Sequence, residues 1–179
     1  MSENNFIKIA RDCDGVLIPS GDHIKISQGT PVKITQSLGG YFTLYVNGNL
    51  VKLDGKDADA INQTVNLNDD YLDVKEFNET LIWDQLKTCY DPEIPVNIVD
   101  LGLIYNLDYT KNDSGKYYIN IKMTLTAPGC GMGPVIASDA ENKVKGLSFV
   151  DDVLIELVWD PVWNQEMMTE EAKLKLGML

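Results

Sequence analysis

The stretch Thr124-Leu125-Thr126-Ala127-Pro128-Gly129-Cys130-Gly131-Met132-Gly133-Pro134 carries one thiol from a strand, across a turn bracketed by glycines, to the start of a helix. The free amides and positive dipole end of a helix stabilise a thiolate, and flanking glycines let a metal, a cluster or another backbone approach sulfur closely. These residues point to thiol chemistry at Cys130, either metal handling or covalent catalysis. The plain alternative is a small buried hydrophobe at a tight turn, although packing alone needs neither the glycines nor the prolines. Cys89 is the reverse case: it falls on the apolar stripe of a helix and reads as core.

Neighbouring groups bear on what the thiol can do. If Met123 and Leu125 face the core, strand parity turns Thr124 and Thr126 to the other side, with both hydroxyls toward the turn into Cys130. Hydroxyls there can donate to sulfur or to a bound sulfide; the competing reading is the ordinary β propensity of threonine on a solvated face. Asp91-Pro92-Glu93-Ile94-Pro95 is a stiff acidic loop, held extended by its prolines. It either points a carboxylate at a metal or a thiol proton, or uses Asp91 to turn the backbone and leaves Glu93 solvated. Arg11-Asp12-Cys13-Asp14-Gly15 places a second thiol between carboxylates, which raise its pKa, with Arg11 a partial offset; it reads as a surface turn. His23, the only histidine, reads as a surface loop residue and cannot alone make a histidine-rich metal site.

The elements that must position these groups follow from pattern. In the first third, Val16-Leu17-Ile18, Val32-Lys33-Ile34-Thr35, Tyr41 to Val46 and Leu50-Val51-Lys52-Leu53 are short strands separated by Pro19-Ser20-Gly21, Gly39-Gly40 and Asn47-Gly48, and predict a small β-barrel or roll. Asp57 to Ile61 predicts one helical turn, and Asn62 to Asp73 a linker. The period then changes. Helices are predicted over Glu79 to Cys89, from Pro134 to about Lys145 and from Gln165 to Leu176; strands are predicted at Leu101 to Tyr109, Tyr117 to Leu125 and Val153 to Trp159. The expected fold class is therefore α+β: a mainly β module with its linker over 1–75, then an α/β sandwich over 76–179 in the order helix, strand, strand, helix, strand, helix.

Composition narrows the partners. With 44% hydrophobic residues the chain can bury a core, and a formal charge of -12 argues against a nucleic-acid partner and against an anionic membrane surface. No basic n-region opens the sequence and no stretch is apolar for long enough to span a bilayer, so the expectation is a cytoplasmic protein. Three widely spaced cysteines fit neither a disulfide framework nor a zinc ribbon, and reduced thiols are expected.

Asp91-Pro92-Glu93-Ile94-Pro95, Asp100-Leu101-Gly102-Leu103-Ile104-Tyr105 and Met123 to Cys130 together resemble the iron-sulfur assembly family that includes SufT, the PaaD-like proteins and the eukaryotic cytosolic targeting factor. The Gly131-Met132-Gly133-Pro134 continuation, Trp159-Asp160-Pro161 with Trp163-Asn164, and the first-module motifs Arg11-Asp12-Cys13 and Val46-Asn47-Gly48-Asn49 resemble its longer, two-part members. Val162 departs from the pattern, standing where a second proline is expected. The resemblance implies a non-enzymatic auxiliary factor in iron-sulfur protein maturation, working between the scaffold of the SUF machinery and the apoproteins that receive clusters. It places the family's reactive cysteine at Cys130, its acidic loop at Asp91 and Glu93 and its threonines at Thr124 and Thr126, with Cys13 and Arg11 as a possible second site.

A single cysteine falls short of the ligand set that an iron-sulfur cluster takes from protein. Either two chains of a homodimer each present Cys130 and share a labile 2Fe-2S unit with small thiols, or Cys130 engages cluster or apoprotein transiently. A non-enzymatic adaptor that docks scaffold to apoprotein is the alternative. A cysteine enzyme is a weaker one, since no imidazole partner is at hand for the thiol.

Overall fold

The computed structural model describes residues 5–65, 74–129 and 131–179, and the chain divides into two compact units, Met1–Leu67 and Asn68–Leu179. In the first unit, β1 (Ile7–Lys8), β2 (Cys13–Ile18), β3 (His23–Ile26), β4 (Pro31–Leu38), β5 (Tyr41–Val46) and β6 (Asn49–Asp54) form one sheet in the order β1-β4-β5-β6-β2-β3, every pairing antiparallel. The expected barrel is not what forms. β1 and β3 stand at opposite edges of an open sheet, and closure requires edge strands long and staggered enough to pair. Asn47 and Gly48, with φ of 48° and 90°, make the tight hairpin turn that lets Val46 pair with Asn49. Phe42, Leu44, Val46, Val51 and Leu53 are buried together with Ala58, Ala60 and Ile61 of a 3-10 turn, Gly55–Ile61, where the sequence predicts a helical turn.

The second unit begins with α1 (Glu79–Leu86), whose first turn is capped by the Asn78 side chain accepting from Thr80 N at 3.0 Å. Strands β7 (Ile104–Lys111) and β8 (Tyr117–Met123) form an antiparallel hairpin. Helix α2 (Gly133–Lys145) then crosses to β9 (Val150–Leu157), which lies parallel to β8, so the sheet order is β7-β8-β9. Ile119, Ile121, Met123 and Val153 are buried on one face; Ile136, Ala140 and Val144 of α2 and Ile82 and Leu86 of α1 are buried too, with α2 packed on β9 and α1 on α2. The opposite face keeps a shallow groove lined by Asn106, Asp108, Asn120, Lys122, Leu154 and Glu156. The result is a mixed sheet with helices, in the element order expected from the periodicities.

Local boundaries differ from the expectation: the strand expected from Leu101 begins only at Ile104, with Leu101 and Gly102 in a turn. The last helix is broken into a 3-10 turn, Gln165–Met167, and α3 (Glu170–Lys175), because Thr169 takes the N-cap position and its Oγ1 accepts from Ala172 N at 3.2 Å. The linker expected over Asn62 to Asp73 lies outside the described residues from Asn66 onward.

Candidate functional site

Because β8 and β9 run parallel and β7 runs against them, the carboxyl ends of β8 and β9 share one rim of the sheet with the amino end of β7. Three segments gather on that rim. Thr124 N donates to Leu103 O at 2.8 Å, which ties the end of β8 to the loop before β7, and Val158 N donates to Met123 O at 2.8 Å, which brings in the segment after β9.

The acidic loop before β7 is framed by two turns of the same kind. Asp91 Oδ1 accepts from Glu93 N at 2.9 Å and from Ile94 N at 3.0 Å. Asn97 Oδ1 accepts from Val99 N at 3.0 Å and from Asp100 N at 2.9 Å, while its amide donates to Asp100 Oδ2 at 2.7 Å. Short polar side chains favour such turns by bonding to backbone two and three residues on. A bridge between Tyr90 and Asn97, with Ile98 N donating to Cys89 O at 2.9 Å, closes the base. Asp91 is only 9% exposed, whereas Glu93 is exposed. Burial pushes the Asp91 carboxyl above the ordinary aspartate range, and the Glu93 and Ile94 amides pull the other way.

The segment after β9 straps over this loop. Tyr105 OH donates to Pro161 O at 2.7 Å, Trp163 Nε1 donates to Leu101 O at 2.7 Å, and Thr169 N donates to Asp100 O at 2.9 Å. Gly102 sits beneath it with φ of 76°, its bare Cα facing the Met167 carbonyl so closely that a methyl group would overlap it. Sequence reasoning quoted Asp100, Gly102 and Trp163 as motif residues without seeing this clamp, and it missed Asn97. The Asn-x-x-Asp spacing was the available signal for the second turn.

At the end of β8 strand parity stops at Met123. Thr124 is 1% exposed and Leu125 is buried beside it, so the Thr124 side chain is buried and does not lie on a solvated face. Thr126 is half-buried, and Ala127, Pro128 and Gly129 are exposed, Gly129 with φ of 74°. Cys130 lies outside the described residues. Beyond it Met132 is buried, and Gly133 opens α2 against Leu125, where a Cβ would stand 2.6 Å from the leucine Cδ1. A larger residue there would require the Leu125 side chain to shift.

The remaining candidates are elsewhere. Cys89 is fully buried after α1, with its thiol directed to Gln85 O at 3.7 Å, as its apolar position predicts. Cys13 is not in a surface turn: it opens β2, is 5% exposed and joins the hydrophobic cluster of the first unit. Burial first, then the Asp57 charge, push its thiol pKa up, and Arg11 only partly opposes them. Arg11 instead forks onto Asp59, at 2.7 Å through Nε and 2.7 Å through Nη2, and reaches Asp57 at 2.8 Å. These carboxylates hold it firmly protonated. His23 is exposed but begins a strand rather than lying in a loop. Among the described residues no three His, Cys, Asp or Glu side chains are grouped to hold a metal ion, and no helix is long and apolar enough to cross a membrane.

The family described as iron-sulfur cluster assembly protein matches residues 79–157, and that match falls within this second unit. A Fe-S protein maturation auxiliary factor of Porphyromonas gingivalis is 43% identical over 113 residues, which are 63% of this chain and 100% of that protein. The Fe-S protein maturation auxiliary factor YitW of Bacillus subtilis is 35% identical over 97 residues, 54% of this chain and 91% of that one. A crystal structure of a domain of unknown function from Bacillus anthracis shares 34% identity, with a TM-score of 0.48 over 56% of this chain and 92% of that chain. The chain belongs to the iron-sulfur cluster assembly protein family.

Proposed function

We propose that this protein is an auxiliary factor in iron-sulfur protein maturation that takes a transient hold on a cluster, or on the apoprotein receiving it, through the Cys130 thiol. The observation that carries the reading is the identity of 43% with a Fe-S protein maturation auxiliary factor along that protein's whole length. The cluster is cargo. The small ligand number that one thiol per chain can offer favours release over retention, which suits handover and not electron transfer. Two chains sharing a 2Fe-2S unit across a dimer interface, with small thiols completing the ligand set, is the form in which one cysteine per chain suffices. Partners are then the cluster-building scaffold and apo iron-sulfur proteins, met in the cytoplasm where thiols stay reduced. The exposed glycine-bracketed approach at Ala127, Pro128 and Gly129 supports access to the turn.

The test is anaerobic reconstitution of wild type beside Cys130→Ser and Cys13→Ser, with iron and sulfide counted per chain, followed by transfer to an apo enzyme whose activity requires a cluster. Wild type and Cys13→Ser are expected to turn brown and to restore that activity; Cys130→Ser is expected to do neither while keeping its fold by circular dichroism. Full delivery by Cys130→Ser refutes the thiol role. Delivery by wild type with no cluster bound at any stage makes the protein a docking adaptor instead.

A further inference from the structure

Asp91 and Glu93 of the loop before β7 are natural candidates to touch cargo, yet the fold treats them differently. Asp91 is almost sealed from solvent, and one of its oxygens already receives two backbone amides, from Glu93 and Ile94. Further along the same loop, Asn97 makes the same pattern with an uncharged amide oxygen, accepting from the residues two and three positions on. What this turn needs is therefore an acceptor of the right length, and the negative charge is incidental to it. The direction of the Asp91 titration agrees, since burial there disfavours the anion. Glu93, by contrast, is exposed at the head of the turn that Asp91 holds. We propose that Asp91 is a positioning residue, neither ligand nor base: its Oδ1, as hydrogen-bond acceptor, fixes the Glu93–Pro95 turn, and Glu93 is the carboxylate that meets the cargo or the client protein. The assignment of Glu93 rests on the maturation reading; that of Asp91 rests on geometry alone.

The experiment compares full-length wild type, Asp91→Asn, Asp91→Ala and Glu93→Gln in two measurements. Amide hydrogen exchange at Glu93 and Ile94 is expected to stay within about threefold of wild type in Asp91→Asn and to accelerate by about tenfold or more in Asp91→Ala, since a hydrogen bond of ordinary strength is lost there. Cluster delivery to an apo enzyme is expected to follow the same order, with Asp91→Asn near wild type and Asp91→Ala reduced about tenfold. Glu93→Gln is expected to keep wild-type amide protection while losing delivery. Delivery by Asp91→Asn as poor as by Asp91→Ala, with its amides still protected, overturns the proposal, because the charge itself is then in use. Loss of protection in Asp91→Asn overturns it as well, and full delivery by Glu93→Gln removes the role given to Glu93. If wild type itself delivers nothing, the maturation reading falls, and the exchange comparison still decides the role of Asp91.

Discussion

Gly102→Ala tests whether the strap after β9 is a clamp or merely a neighbour. The position has φ of 76°, where a Cβ costs about 1 kcal/mol, and the added methyl would overlap the Met167 carbonyl. Relief requires the strap to lift, which forfeits the Trp163 bond to Leu101 O and the Tyr105 bond to Pro161 O, at about 1 kcal/mol each. The expected loss is about 3 kcal/mol. Gly115→Ala supplies the control: its φ is 84°, in the turn between β7 and β8, and nothing stands within 4 Å of a Cβ built there. It shares the backbone cost and the gain from a stiffer unfolded chain, so the difference between the variants, about 2 kcal/mol, isolates the strap. Denaturant unfolding followed by tryptophan fluorescence is the assay. Trp83, Trp159 and Trp163 are the only tryptophans and all lie in the second unit, so the signal reports that unit alone. If the two variants differ by less than about 0.5 kcal/mol at equal m-value, the clamp contributes nothing and the reasoning fails.

Other outcomes follow from the same contacts. Asp91 has a folded pKa raised by burial, so the stability it contributes is present below the ordinary aspartate value and lost as pH rises through the raised one; the stability of wild type relative to Asp91→Asn should fall across that window, and a flat or rising difference contradicts the assignment. In Cys130→Ser, the remaining Cys13 and Cys89 thiols are buried, and Cys13 is further slowed by its raised pKa; alkylation followed by mass spectrometry should run about tenfold or more below a free thiol until denaturant is added. Phe77 lies 4.3 Å from the Tyr117 ring, 4.5 Å from Tyr109 and 5.5 Å from Phe149, pinning the entry to α1; Phe77→Ala should cost about 2 kcal/mol, less than a fully buried phenylalanine, and a change below about 0.5 kcal/mol shows that the cluster is decorative.

The sequence was most legible where one local rule operates alone. Alternation from Tyr117 to Met123 and the apolar spacing from Ile136 to Val144 reported β8 and α2, because burial on one face leaves a period that neighbours do not blur. It was least legible where tertiary contacts overrule the pattern. Alternation extended to Leu125 on paper, but Thr124 gives its amide to Leu103 and is buried with its neighbour. The charged run around Cys13 looked like a turn, yet Arg11 is neutralised by Asp57 and Asp59 from the far end of the unit, which frees Cys13 to enter a core strand. The apolar spacing from Gln165 onward read as one helix although Thr169 followed by Glu170 and Glu171 is a local start signal; the Thr169 bond to Asp100, far back in the chain, was not readable there. Barrel closure was unreadable for a related reason: whether two edges meet depends on strand lengths and stagger, and β1 has only two paired residues.

The parallel pairing of β8 with β9 also sets an order of events during synthesis. A hairpin such as β7 with β8 can zip as soon as it clears the ribosome, but a parallel partner must wait for the whole crossover through α2 and then close a long loop. The strap that pins Leu101 and Asp100 is made later still. A nascent chain therefore presents the paired β7 and β8 before the strap over the neighbouring loop exists, and that loop gains its Trp163 and Thr169 contacts only when the last residues have emerged.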